Sequence, residues 1–170
     1  MKFTSVFSSR AGVVVSVVIA FALVAARPYA AFAQMNPLAV GTWKLNLARS
    51  KYDPGPPPMS QTLTYERSGD GQKLTNQTVG ADGTRTTQGY KANHDGKDYP
   101  RTGSGYADTI ALRRIDLYTV EETLKRADRV VTTVRQVVSK DGKVMTFTVT
   151  GANASGQPIH NVLVYDKQQR

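Results

Sequence analysis

From residue 39 onward, apolar and polar residues alternate in short runs broken by turn formers, and no stretch carries the 3.6-residue apolar period of a long helix. Trp43, Leu45 and Leu47 alternate with Thr42, Lys44 and Asn46, so residues 39–47 read as a strand with one apolar and one polar face. The same alternation predicts strands over residues 61–67, 72–79, 84–92, a short 97–100, 109–115, 119–126, 130–139, 143–151 and 158–167. Asp70-Gly71, Asp82-Gly83, Asp95-Gly96 and Asp141-Gly142 punctuate these runs. Asp-Gly supplies the positive backbone angles of a tight reversal, so each pair predicts two antiparallel strands folding back on each other. Two segments break the pattern: a stiff loop around Pro54, Pro56, Pro57 and Pro58, and a Gly-rich stretch at residues 101–106.

About ten short strands joined by hairpin-length turns describe an all-β domain, a single antiparallel up-and-down β-barrel or a two-sheet sandwich. Closure into a barrel removes the exposed edges that ten strands would otherwise have to protect. The meander is more sequential than a Greek key, and the Cys…Trp…Cys pattern of immunoglobulin sandwiches is missing. The barrel is therefore the favoured reading.

Residues 1–33 add a compartment. Lys2 and Arg10 form a positive start, residues 11–26 an apolar run, and Ala31-Phe32-Ala33 a small-x-small cleavage site. This is the pattern of a signal peptide cleaved near Ala33. The apolar run is short for an uncleaved transmembrane anchor, which needs about 20 residues. The expectation is a secreted or periplasmic β-barrel domain over residues 34–170, a monomer without stable membrane insertion.

With no cysteine in the chain, disulfides, thiol catalysis and cysteine zinc sites are excluded. Loss of Lys2, Arg10 and Arg27 with the leader takes the formal net charge from +9 to +6. That charge is scattered, without the basic stripe and interleaved aromatics of a nucleic-acid surface. The two histidines, His94 and His160, cannot make a three-histidine metal site, and no His-Glu-x-x-His or Gly-x-Ser-x-Gly motif occurs. Neither cofactor nor metal nor catalytic residue is expected.

Gly41-Thr42-Trp43-Lys44-Leu45 resembles the first strand of the calycins, the superfamily of lipocalins and fatty-acid-binding proteins. Thr132-Thr133-Val134-Arg135, Asp141-Gly142-Lys143 and Val164-Tyr165-Asp166-Lys167 resemble the closing strands of fatty-acid-binding proteins. The chain as a whole also resembles a family of small secreted bacterial proteins of unknown function that share this opening strand and the Lys-Tyr-Asp-Pro-Gly-Pro loop. The resemblance implies a lipocalin-like barrel closed at one end by Trp43, with a small ligand inside. Two departures weaken a fatty-acid ligand. The helical lid gives way to the Pro-rich loop, and Leu163 and Tyr165 stand where an Arg-x-Tyr carboxylate anchor would be.

The candidate ligand-binding residues are Trp43, Tyr65, Arg114, Glu122, Arg135, Phe147, Leu163 and Tyr165. Tyr65 and Tyr165 fall at inward positions and offer apolar contact plus one hydrogen bond, as an ordinary core also would. Glu122 alternates with Val120 and Leu124, and Arg114 with Leu112 and Ile110. An inward Glu122–Arg114 pair would anchor a polar head group or serve as a structural ion pair. Arg135 depends on register: a two-residue turn at Asp141-Gly142 sends it to solvent, whereas a three-residue turn with a bulge sets it opposite Phe147. The function expected is non-catalytic binding of a small apolar or amphipathic molecule, with no nucleic-acid partner. A side-chain-filled structural barrel of the envelope is the alternative, and a small hydrolase or isomerase using an inward Glu122 is the third.

Overall fold

The computed structural model describes residues 35–103 and 105–169; the leader expected over residues 1–33 lies outside them. Ten strands follow in order: β1 (Gly41–Leu45), β2 (Ser60–Ser68), β3 (Gly71–Val79), β4 (Arg85–Ala92), β5 (Asp95–Thr102), β6 (Thr109–Arg114), β7 (Thr119–Arg126), β8 (Arg129–Val138), β9 (Val144–Ala152) and β10 (Pro158–Lys167). Each pairs antiparallel with its sequence neighbours, and β1 pairs with β10, closing a single up-and-down barrel. The all-β barrel read from the alternation is thus the observed fold, and it is compatible with a calycin-like architecture.

All four Asp-Gly pairs sit at reversals, and Gly83, Gly96 and Gly142 adopt φ of 83°, 77° and 68°. At the first reversal the preceding glycine carries the turn, with Gly69 at φ 57°. The β7–β8 turn has no glycine: Ala127 and Asp128 take φ of 47° and 62°. Its backbone is tied down by a 2.8 Å bond from Ala127 N to the Asp108 carboxylate.

Register keeps one face of every strand inside. Leu74 stands beside Tyr90, Leu112 beside Glu122, Val134 beside Val149 and Phe147 beside Leu163. Gln136 pairs with Phe147 and Val138 with Met145, the register of a two-residue turn at Asp141-Gly142. Arg135, one residue out of phase, is exposed.

Up-and-down topology sends the connections alternately to two ends. One end carries the β2–β3, β4–β5, β6–β7 and β8–β9 turns. Residues 35–39 cross it: Asn36 Nδ2 donates to Leu117 O in the β6–β7 turn, while Leu38 packs by Gly142 in the β8–β9 turn. Met35 and Ala39 are buried there, and Trp43, fully buried, donates from Nε1 to Ala39 O at 2.9 Å. Lys167 Nζ lies 5.0 Å from the Trp43 ring centre and donates to Leu38 O. Trp43 and the segment before it therefore plug this end.

The Pro-rich and Gly-rich loops both lie at the other end, since they join β1 to β2 and β5 to β6. After the short β1, a 3-10 turn at Leu47–Arg49 leads residues 51–53 alongside β10, where Lys51 bridges Val162 and His160 N donates to Asp53 O. This continuation extends the wall beside β10 toward the mouth.

Candidate functional site

The barrel interior divides into two halves. Toward the Trp43 end it is filled by its own side chains, with Leu112, Met145, Val120 and Val138 buried. In this half Tyr65 donates its hydroxyl to Gln136 Oε1 at 3.4 Å and Gln72 Nε2 donates to the Tyr90 hydroxyl at 2.8 Å, whereas Arg114 keeps two buried nitrogens, Nε and Nη2, without a hydrogen-bond partner. Toward the mouth lies a cavity of about 270 Å³. Its walls are mainly apolar, including Leu63, Ile110, Leu124, Val149 and Ile159, with Gln61, Asn76 and Gln88 nearer the rim. Tyr106, from the β5–β6 connection, lines the cavity and binds through its hydroxyl to Val131 O, Thr132 Oγ1 and Ala152 O, joining that connection to β8 and β9.

Glu122 lines the cavity at the boundary with the filled half. It is only 6% exposed, and its Oε1 has no hydrogen-bond partner. Burial raises its pKa from 4.5 to about 7, with the positive charge of Arg101 opposing the rise. Arg101 reaches the interior from β5, beside Tyr90, and donates from Nη2 to Gln88 Oε1 at 3.2 Å. Burial lowers its own pKa, while Glu122, Tyr90 and Tyr106 counteract that effect. The Tyr65, Tyr90 and Tyr165 hydroxyls are pushed well above 10, first by burial and then by neighbouring charge that includes Glu122. Tyr165 donates to Gln61 Oε1 at 2.5 Å, and its ring packs 5.2 Å from that of Phe147.

The structure thus gathers four of the eight sequence candidates, Glu122, Phe147, Leu163 and Tyr165, around one cavity. Tyr65 lies among the packed residues of the filled half, and its charge interaction with Glu122 marks it as a neighbour of the cavity floor. Three candidates lie away from the cavity. Trp43 is buried at the plugged end, away from the cavity. Arg135 faces solvent because the β8–β9 register puts Val134 and Gln136 inside. Arg114 does not pair with Glu122: it stands opposite Val120, and the acidic charge acting on it is Asp116.

Arg101 was the residue missed. Pro100 ended the predicted strand, yet β5 continues through it to Thr102. That is tolerated because β5 pairs with β4 only at Tyr90–Arg101 and Gly89–Thr102, so no ladder partner there needs a Pro100 N–H. The inward parity of Tyr99, extended by one step, would have found Arg101.

Two larger depressions lie on the outside, one of about 1360 Å³ bordered by Val40, Thr64 and Lys143, the other of about 370 Å³ over Lys73, Gly89 and Pro100. Neither is lined by a buried, unpartnered ionisable group, so the chemistry points to the smaller interior cavity. Among the described residues, no three His, Asp or Glu side chains gather as a metal site. No protein-family model matches the chain, and no curated protein matches it.

Proposed function

We propose that this chain is an exported calycin-like binding protein that holds a small amphipathic molecule in the mouth half of its barrel, without chemistry. The observation that carries this reading is the interior cavity, largely apolar but with one buried, unpartnered carboxylate oxygen on its lining. Apolar walls with a few convergent polar groups are the usual make-up of a small-molecule site. At ~30 Å³ per water the space equals about nine waters, which suits a ligand of roughly ten non-hydrogen atoms rather than a long acyl chain. Apolar burial supplies most of the affinity at about 25 cal/mol per Å², and the polar residues fix orientation.

The test is native mass spectrometry of the mature chain recovered from its own host, before and after denaturing extraction. A small molecule released on denaturation supports the reading. A clean apo mass, with no thermal shift from a panel of compact amphiphiles, replaces it with a structural barrel. An amino terminus at Gln34 in the recovered chain would establish export.

One observation favours a second reading. A carboxyl group poised near neutrality in a mostly apolar pocket is suited to accept a proton from a bound substrate. Under that reading the chain is a small isomerase or hydrolase, and Glu122→Gln abolishes turnover while leaving the fold intact.

A further inference from the structure

We infer that the molecule held in this cavity carries a protonated amine on a compact apolar body, and that the amine docks on Glu122 Oε1. The inference rests on the binding reading above and names the class of ligand.

The argument begins with what the protein leaves unpaired. Glu122 Oε1 is buried and accepts no hydrogen bond. Of the nearby hydroxyls, Tyr65 donates to Gln136 Oε1 and Tyr165 to Gln61 Oε1, while the Tyr90 oxygen accepts from Gln72 Nε2. A buried acceptor without a donor is costly, and the cost is greatest for a charged one. The missing group is therefore a donor; none of these bonds delivers one to Oε1, and a molecule in the cavity that Glu122 lines can.

Charge selects among donors. A cation paired with a carboxylate makes a shorter and roughly twofold stronger hydrogen bond than a neutral donor. It also compensates the charge that burial disfavours. An anion would instead be repelled by ionised Glu122, and its natural seat would be Arg101. Beyond Glu122, Arg101 and Tyr90 the walls are mainly apolar, with Leu63, Ile110, Val134 and Phe147 leaving space for a ring or short branched chain.

Proton linkage follows. An amine that binds ionised Glu122 displaces the proton the buried carboxyl otherwise keeps, so its affinity rises with pH until Glu122 is ionised in the free protein. The other titratable or charged groups facing Glu122 are Arg101 from β5, Tyr90 from β4, Tyr65 from β2 and Tyr165 from β10. The arginine stays charged and the tyrosines, pushed above 10, stay neutral across this range. The residues that β6, β8 and β9 contribute to the cavity, among them Ile110, Val134 and Phe147, do not titrate.

Three probes of one shape separate the possibilities: cyclohexylmethylamine, cyclohexylmethanol and cyclohexanecarboxylate, titrated calorimetrically into the mature chain. At about pH 8 the amine should bind at least about tenfold more tightly than either relative, and the margin should shrink toward about pH 5.5. Glu122→Gln should erase the amine's advantage while the alcohol still binds, which shows the cavity intact. Equal affinities, a tightest carboxylate, or an amine preference that survives Glu122→Gln each overturns the inference while leaving the binding reading standing. If none of the three binds up to about 1 mM, the inference falls, and the binding reading falls with it when the chain recovered from its host also shows a clean apo mass. Leu163→Trp, which fills the cavity from β10, should abolish all three titrations in a folded barrel; undiminished amine binding there would place the amine elsewhere and overturn the inference.

Discussion

Replacing Glu122 by glutamine should stabilise the barrel, and only above a definable pH. The side chain is buried, and folding moves its pKa from 4.5 to about 7. The folded state therefore holds the proton more tightly than the unfolded state. Below about pH 4.5 both states are protonated and the group costs nothing. Between about 4.5 and 7 the unfolded chain releases its proton first, and stability falls by about 1.4 kcal/mol per pH unit. Above about pH 7 both states are ionised and the full penalty, about 3 kcal/mol, is in place. Glutamine keeps the shape and never ionises. Urea denaturation of the two proteins should thus give near-equal stability at about pH 4 and an advantage for Glu122→Gln of about 3 kcal/mol at about pH 8. In thermal scans the alkaline advantage is about 10 °C for a domain of this size. The surface carboxylates whose pKa is lowered by local hydrogen bonds, such as Asp82, Asp116 and Asp141, are common to both proteins and drop out of the difference. A difference that stays flat from about pH 4 to 8, or an alkaline disadvantage for glutamine, would refute the reasoning, because it would mean that Arg101 keeps Glu122 comfortably ionised.

Three further substitutions test the frame around the cavity. Trp43→Ala removes a fully buried ring and its bond to Ala39 O, and should cost about 3–5 kcal/mol in urea denaturation. Ala127→Gly relieves a left-handed alanine at φ 47° and should gain about 1 kcal/mol, seen as a rise in Tm of a few degrees. Arg135→Ala changes an exposed side chain and should leave stability within about 0.5 kcal/mol and the titration of cyclohexylmethylamine unaltered; a loss of binding would contradict the β8–β9 register.

The parts of this fold that are local were legible in the sequence. A reversal depends on a few backbone angles, so Asp82-Gly83 and Asp141-Gly142 announce theirs directly, and even Asp95-Gly96, assigned to the start of β5, marks the tip of the β4–β5 reversal implied by the Tyr90–Arg101 pairing. Face is legible too, because side chains alternate with a period of two. Val134, Gln136 and Val138 had to share a face opposite that of Arg135, and only the choice of turn decided which of the two faces looked inward. Level around the barrel is a different matter. Arg114 and Arg101 both occupy inward positions, yet one stands beside Val120 near the plugged end and the other beside Tyr90 facing the cavity. Which of them acts on Glu122 depends on strand tilt and on the stagger at which ten strands close, and these belong to the whole sheet rather than to any one strand.

The same distinction explains why alternation could not separate a filled barrel from a hollow one. Tyr65 and Tyr165 have identical parity and similar burial, but Tyr65 is packed against Gln136 in the filled half while Tyr165 lines the cavity. What singles out Glu122 is a costly occupant that faces open volume. Gln72 and Gln136 are buried polar residues whose partners stand beside them, so they serve a core at little expense. Glu122 has no such partner for Oε1, and its burial works against folding at neutral pH. Glutamine would fit the same space without that penalty. A position that holds the more costly of two isosteric side chains, facing open volume, is best accounted for by what enters the volume.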